Sequence, residues 1–189
     1  MLASTSPYRR ELLGRLGLAF ECASPGTEEG ANAGESPSAT AARLAILKAR
    51  AVAGKYPDSL IIGSDQVASC AGAILDKPGN HENARKQLSY MSGRTTRFDT
   101  AVAVLDSKTG FVACRVVPCD VTMRTLSASE IEAYLAREQP YDCAGSAKIE
   151  GLGITLVERL HTEDPTALIG LPLIALTELL GEAGLPVLG

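Results

Sequence analysis

"TRFDTAVAVLD", residues 96–106, and "FVACRVVPCDVTM", residues 111–123, stand on either side of the four-residue "SKTG", and their reading decides the fold. Both runs are long, alternating and rich in Val and Thr, and a short polar turn ending in glycine joins them, so they predict an antiparallel hairpin. Outward from this hairpin the pattern changes to helices and single strands. Upstream, Asn80 caps a helix that ends near Gly93, and "DSLIIGSDQVAS" is a buried strand running into a small polar cluster. Before it lies a helix of about residues 38–53, with Leu44, Leu47 and Ala51 inward and Arg43, Lys48 and Lys55 on the polar side. A Gly, Pro, Ser and Glu-rich stretch over residues 22–38 predicts a long surface loop. Ser6 and Pro7 predict a helix start, with Leu12, Leu13 and Leu16 inward, and "MLA" is a stub of strand. Downstream, Ser127 and Glu130 form a capping box, residues 138–153 make a glycine-punctuated loop, "ITLVERL" a strand and "PLIALTELLGEA" a closing helix. Helices alternate with strands while a hairpin occupies the middle, so the expected class is α/β, a mixed twisted sheet flanked by helices.

The chain of 189 residues is 46% hydrophobic and 21% charged, enough to bury one core, and a single domain over residues 1–189 is expected. A net charge of -4 gives no field of the kind that gathers nucleic acid or anionic membrane without specificity. No apolar stretch approaches the roughly 20 residues that span a bilayer, and "MLASTSPYRR" has no leader pattern, so a cytoplasmic protein with no membrane partner is expected. Five scattered cysteines (Cys22, Cys70, Cys114, Cys119, Cys143) without CxxC spacing suit reduced thiols in the core. With only His81 and His161, a zinc site is not expected; any metal would be a hard cation held by carboxylates and substrate oxygens.

Arg9 and Arg10 stand at a helix start, where the backbone dipole already supplies positive potential. Cations there imply an anion. Lys48 and the "DKP" lysine, Lys77, come from other elements of an acidic chain, and four such cations suit a polyphosphate, although either lysine alone reads equally as a solvated surface group. Asp65, in "IIGSDQ", lies where a hydrophobic strand ends, the usual position of ligand sites in α/β folds. Glu28 and Glu29 in the long loop could share a hard cation with it. No Walker loop and no nucleophile elbow is present, and Ser146 in "CAGSAK" reads as a turn residue.

Taken in order, "LASTSPYRRELL", "CASPGTEE", "ARLAILKA", "IIGSDQV", "DKPGNHENARKQL" and "YDCAGSAKIEGLGITLVERLHTEDPTALIGLPL" resemble the Maf family of nucleoside triphosphate pyrophosphatases along essentially the whole chain. The last blocks look most like its 7-methyl-GTP branch. The resemblance implies two lobes around a nucleotide cleft, and an enzyme that cleaves between the α- and β-phosphates of a non-standard nucleotide. It implies a divalent cation (magnesium, manganese or cobalt) and a homodimer as one expected assembly. Residue by residue it implies Asp65 as the proton acceptor; Ser4, Arg9, Arg10, Lys48 and Lys77 as phosphate ligands; Glu29 with Asp65 at the metal; and Tyr8, Gln66 and Glu150 as base-selecting positions. Tyr8 stands where the branch commonly has tryptophan, and "GTEE" where many relatives have an Asp-Glu pair. Methylated guanine is cationic, so an aromatic face at Tyr8 and a carboxylate at Glu150 suit it. Two other readings stay open: the same chemistry on dTTP, UTP or modified pyrimidine nucleotides, and a nucleotide-binding regulator of cell division.

Overall fold

The computed structural model describes residues 1–28 and 30–189. Helix α1 (Pro7–Gly14) starts where the Ser6 hydroxyl accepts from the Arg9 amide with Pro7 in the first turn. Helix α2 (Pro37–Ala53) is capped by Ser36, two residues earlier than the expected start, because Pro37 also fits a first-turn position. Strand β1 (Leu60–Cys70) is followed by a short strand the sequence did not announce, β2 (Ala73–Leu75), and by α3 (His81–Met91), capped by Asn80. The hairpin expected at the centre is present as β3 (Thr95–Asp106) and β4 (Val112–Met123). The Asp106 carboxylate stabilises its turn by accepting from the amides of Lys108 and Thr109 and from the Thr109 hydroxyl.

Helix α4 (Ala128–Glu138) carries the full capping box of Ser127 and Glu130. The expected strand "ITLVERL" begins later than its sequence suggests: residues Leu152–Leu156 coil into a 3-10 turn after the glycines, and β5 is Val157–Thr162. The closing helix α5 (Leu173–Glu182) has no capping side chain of its own, and Asp164 serves instead, accepting from the Ile174 amide at 2.7 Å.

The five strands form one sheet in the order β2-β1-β3-β4-β5. The outer pairs β1/β2 and β4/β5 are antiparallel. Its mixed character comes from Leu2, which bridges in parallel to Cys22 and Ile62.

The chain divides into two compact units, one of residues 1–66, 99–117 and 163–189, the other of residues 67–98 and 118–162. In the first unit both faces of the sheet are covered. Ile61 and Leu105 pack with Ala49 and Val52 of α2 on one face. On the other, Ile62, Val102 and Val104 meet Leu12 and Leu13 of α1 and Leu176, Leu179 and Leu180 of α5. Consecutive strand residues therefore serve opposite faces. In the second unit α3 packs against α4, and Gly145 lies against Met91 and Phe98.

Candidate active site

Residues 1–4 run beside β1: the Ala3 amide donates to the Ile62 carbonyl and the Ile62 amide to the Met1 carbonyl, both at 2.8 Å. Past Ala3 the chain turns: the Ser4 amide donates to the Leu2 carbonyl at 3.0 Å. The Ser4 hydroxyl, itself buried, accepts from the Ser6 amide at 3.1 Å and holds that turn.

Asp65 does not end its strand. It is the sixth of eleven residues in β1, which continues through Cys70. What ends beside it is the first unit, whose segment of β1 stops at Gln66. The polar cluster after "LIIG" had suggested a strand end, but alternation lets those side chains occupy extended backbone without interrupting it.

The centre of the candidate site is an ion pair. Lys48 Nζ donates to Asp65 Oδ1 at 2.6 Å, with Lys48 4% and Asp65 7% exposed. The expected orientation of α2 was wrong by one position. Leu47 is 39% exposed and Ala51 is exposed, whereas Ala41, Leu44, Ala45, Lys48, Ala49 and Val52 face inward. A charged residue inside an alanine face disguised the true stripe. Gly63 permits the approach: a Cβ there would lie 2.9 Å from the Ala49 nitrogen, 3.1 Å from the Ala49 Cβ and closer still to the Ala45 carbonyl oxygen. Helix α2 therefore rests on bare strand backbone, and the short interaxial distance lets a lysine reach the carboxylate two residues on. Taking two charges out of water is costly unless they are paired, and here each charge has the other.

Ser64 and Gln66 point to the other face, toward the loop over residues 164–173. The Ser64 hydroxyl and Arg9 Nε both donate to the Gly170 carbonyl, at 2.9 and 2.8 Å. Gln66 Nε2 lies 2.9 Å from Thr100 Oγ1 and 3.1 Å from the carbonyls of Ala167 and Leu168. Carbonyls only accept, so the amide can be oriented in one way: nitrogen toward the loop, Oε1 away from it. The loop is held by Asp164, which accepts from the Thr166 amide and hydroxyl as well as from α5. None of these partners of Gln66 or Asp164 was indicated by the sequence pattern.

The other expected residues are placed as follows. Arg10, adjacent to Arg9, is exposed and turns to a different surface, a concavity of about 660 Å³ that it lines with Leu18, Ala19, Phe20, Glu21 and Cys22. The two arginines are thus not brought to one point. Tyr8 is half-buried on α1 and Glu28 is exposed; Glu29 lies outside the described residues. Lys77 and Glu150 belong to the second unit. Lys77 is exposed, its loop tied down where the Gly79 amide donates to the Tyr141 carbonyl at 3.0 Å. Glu150 is exposed as a residue, yet burial around its carboxyl pushes its pKa up, Lys148 pulls it down, and Glu138 and Asp142 add to the rise.

Among the described residues, no group of three or more His, Cys, Asp or Glu side chains could hold a metal ion, and no helix is long and apolar enough to cross a membrane. Asp65 supplies a hard oxygen donor beside cations. That donor set fits an ion bound by one or two carboxylates and completed by phosphate oxygens, the habit of magnesium, and not an all-protein cage.

A family model described as Maf-like protein matches residues 1–183. A protein named 7-methyl-GTP pyrophosphatase from Cupriavidus pinatubonensis is 56% identical over 186 residues, covering 98% of this chain and 94% of that one. Proteins of the same name from Albidiferax ferrireducens and Thiobacillus denitrificans are 53% identical over 189 residues and 56% over 188. Each alignment takes in 100% of this chain, and 95% and 94% of those.

Proposed function

The chain belongs to the Maf family, and from that premise we propose that it hydrolyses 7-methyl-GTP to 7-methyl-GMP and pyrophosphate. The observation that carries the proposal is the buried Lys48–Asp65 pair. Asp65 accepts a proton from water as the water oxygen attacks the α-phosphorus; the bond to the bridging oxygen breaks and pyrophosphate leaves. Lys48 fixes one carboxylate oxygen and so directs the other lone pairs. Phosphoryl chemistry is mostly positioning and charge neutralisation, which is the part assigned to Arg9, Lys48, Lys77 and Ser4; Arg10, which lines a different surface, is left out of it. A divalent cation, magnesium or manganese, would be held by Asp65 with Glu29 and would neutralise charge on the triphosphate. Gln66 offers Oε1 as an acceptor for donors on the base. Glu150 and Tyr8 are assigned to the positive charge that methylation places on the guanine ring.

Pyrophosphate release from 7-methyl-GTP, GTP, dTTP and UTP, with metal and with chelator, tests this. The fastest turnover is expected on 7-methyl-GTP, with none in chelator. Asp65→Asn should lower kcat by about 10²–10⁴-fold, the usual worth of a general base. Undiminished hydrolysis by that variant removes Asp65 from the role, and preference for dTTP or UTP transfers the enzyme to the pyrimidine substrates.

A further inference from the structure

The turn over residues 148–153, which carries Glu150, is held by one acidic side chain outside it. Glu138, the last residue of α4, accepts from the Leu152 amide through Oε2 at 2.7 Å, and its Oε1 lies 3.2 Å from Lys148 Nζ. Its side chain is only 15% exposed. A Cβ at Gly151 would sit 2.8 and 2.9 Å from the two carboxylate oxygens, so glycine alone lets the carboxylate press against this backbone. Within the turn, the Lys148 amide donates to the Tyr134 hydroxyl at 3.0 Å, and the Lys148 carbonyl accepts from the amides of Gly151 and Gly153. The backbone on both sides of Glu150 is thereby fixed. What remains to be decided is which carboxylate Lys148 serves.

We infer that Glu138 is a specificity-determining positioning residue: by holding Lys148 to itself, it leaves the charge of Glu150 available to a cationic base. This rests on the proposed base-reading role of Glu150. An ammonium paired to Glu150 would cancel the charge that attracts a methylated ring; paired to Glu138, it does not. The hydrogen bond from Leu152 and the contact with Lys148 together hold the Glu138 carboxyl below its ordinary range, and Glu138 in turn raises the pKa of Lys148, as expected of a committed pair. The charged and titratable groups facing Glu150 are Lys148, Glu138 and Asp142, with Tyr134 and Cys143 close by.

Glu138→Gln keeps an acceptor for the Leu152 amide while removing the charge that retains Lys148. The readout is the ratio of kcat/KM for 7-methyl-GTP to that for GTP, measured across pH in the wild type, E138Q, K148M, E138Q/K148M and E150Q. E138Q should lower the ratio about fivefold, the worth of a charge contact at a partly exposed site, with GTP turnover retained. Its acid limb should move to lower pH, because Lys148 now favours ionised Glu150. Adding K148M should restore the ratio, and K148M alone should leave it at or above the wild-type value. A reduced ratio that K148M does not restore makes Glu138 a merely structural residue and overturns the inference, as does a fall in K148M alone. If E150Q leaves the ratio unchanged, the base-reading role itself fails and the inference falls with it; if E150Q lowers the ratio while E138Q does not, only the inference fails.

Discussion

Replacing Gly63 by alanine adds one carbon where α2 rests on β1. The new Cβ would stand 2.9 Å from the Ala49 nitrogen and nearer to the Ala45 carbonyl oxygen, against ordinary contact at about 3.5–4 Å. These neighbours are helix backbone and cannot rotate away, so α2 must retreat by roughly 1 Å or the strand must bend. Two effects follow. Overpacking of this kind costs about 1–3 kcal/mol, which in a chain of this length lowers Tm by about 2–12 °C. The retreat also carries Lys48 away from Asp65, stretching a 2.6 Å contact beyond hydrogen-bond range, and a 1 Å misplacement can cost on the order of 10²-fold in rate. Steady-state pyrophosphate release and a thermal melt on the same preparation measure both. Gly54→Ala, with nothing within 4 Å of the added carbon, is the control and should leave kcat near the wild-type value. Wild-type kcat and Tm in Gly63→Ala would refute the argument that this close approach sets the Lys48–Asp65 geometry.

Lys48→Met should cost about 3–5 kcal/mol in urea unfolding, since it removes the cation bonded to a buried carboxylate, and adding Asp65→Asn should recover most of that; a single-variant loss under about 1 kcal/mol would mean the pair is solvated in solution. Glu35 is held down to about 2, from 4.5, chiefly by its hydrogen bonds from Arg43. A carboxyl depressed in the folded state stabilises above its unfolded value and loses that contribution as pH falls toward the folded one. Stability should therefore decline between about pH 4.5 and 2 through this residue, and a Glu35→Gln melt series should be flatter over that interval.

The starts of α1, α3 and α4 were legible in local chemistry, because the caps Ser6, Asn80 and Ser127 are short-range signals, whereas α2 begins two residues before its expected start. The hairpin was legible in its two alternating runs and the short polar turn between them. What a lysine does inside α2 was not: the apolar count placed Leu47 inward, although alanines at positions 41, 45 and 49, four apart, marked a smooth face suited to close packing against a glycine. Asp65 was found for its polarity after an apolar run, yet the run implied a strand end that β1 does not have. The neighbours of Gln66 and Glu138 come from residues 101 and 14 positions away, and pairings at such separations leave no periodic trace in the chain. The divergence of Arg9 and Arg10 is a matter of helix geometry, in which adjacent residues do not share a face.

Asp164 acts as a clasp at the base of its loop. By gathering the Thr166 hydroxyl and two amides on a single side chain, it closes an eleven-residue loop without any covalent bond. A loop tied at its own base has already given up its freedom before a nucleotide arrives. The carbonyls that hold Gln66, Ser64 and Arg9 are thus in place beforehand, and a nucleotide bound as proposed would lose no affinity to ordering them.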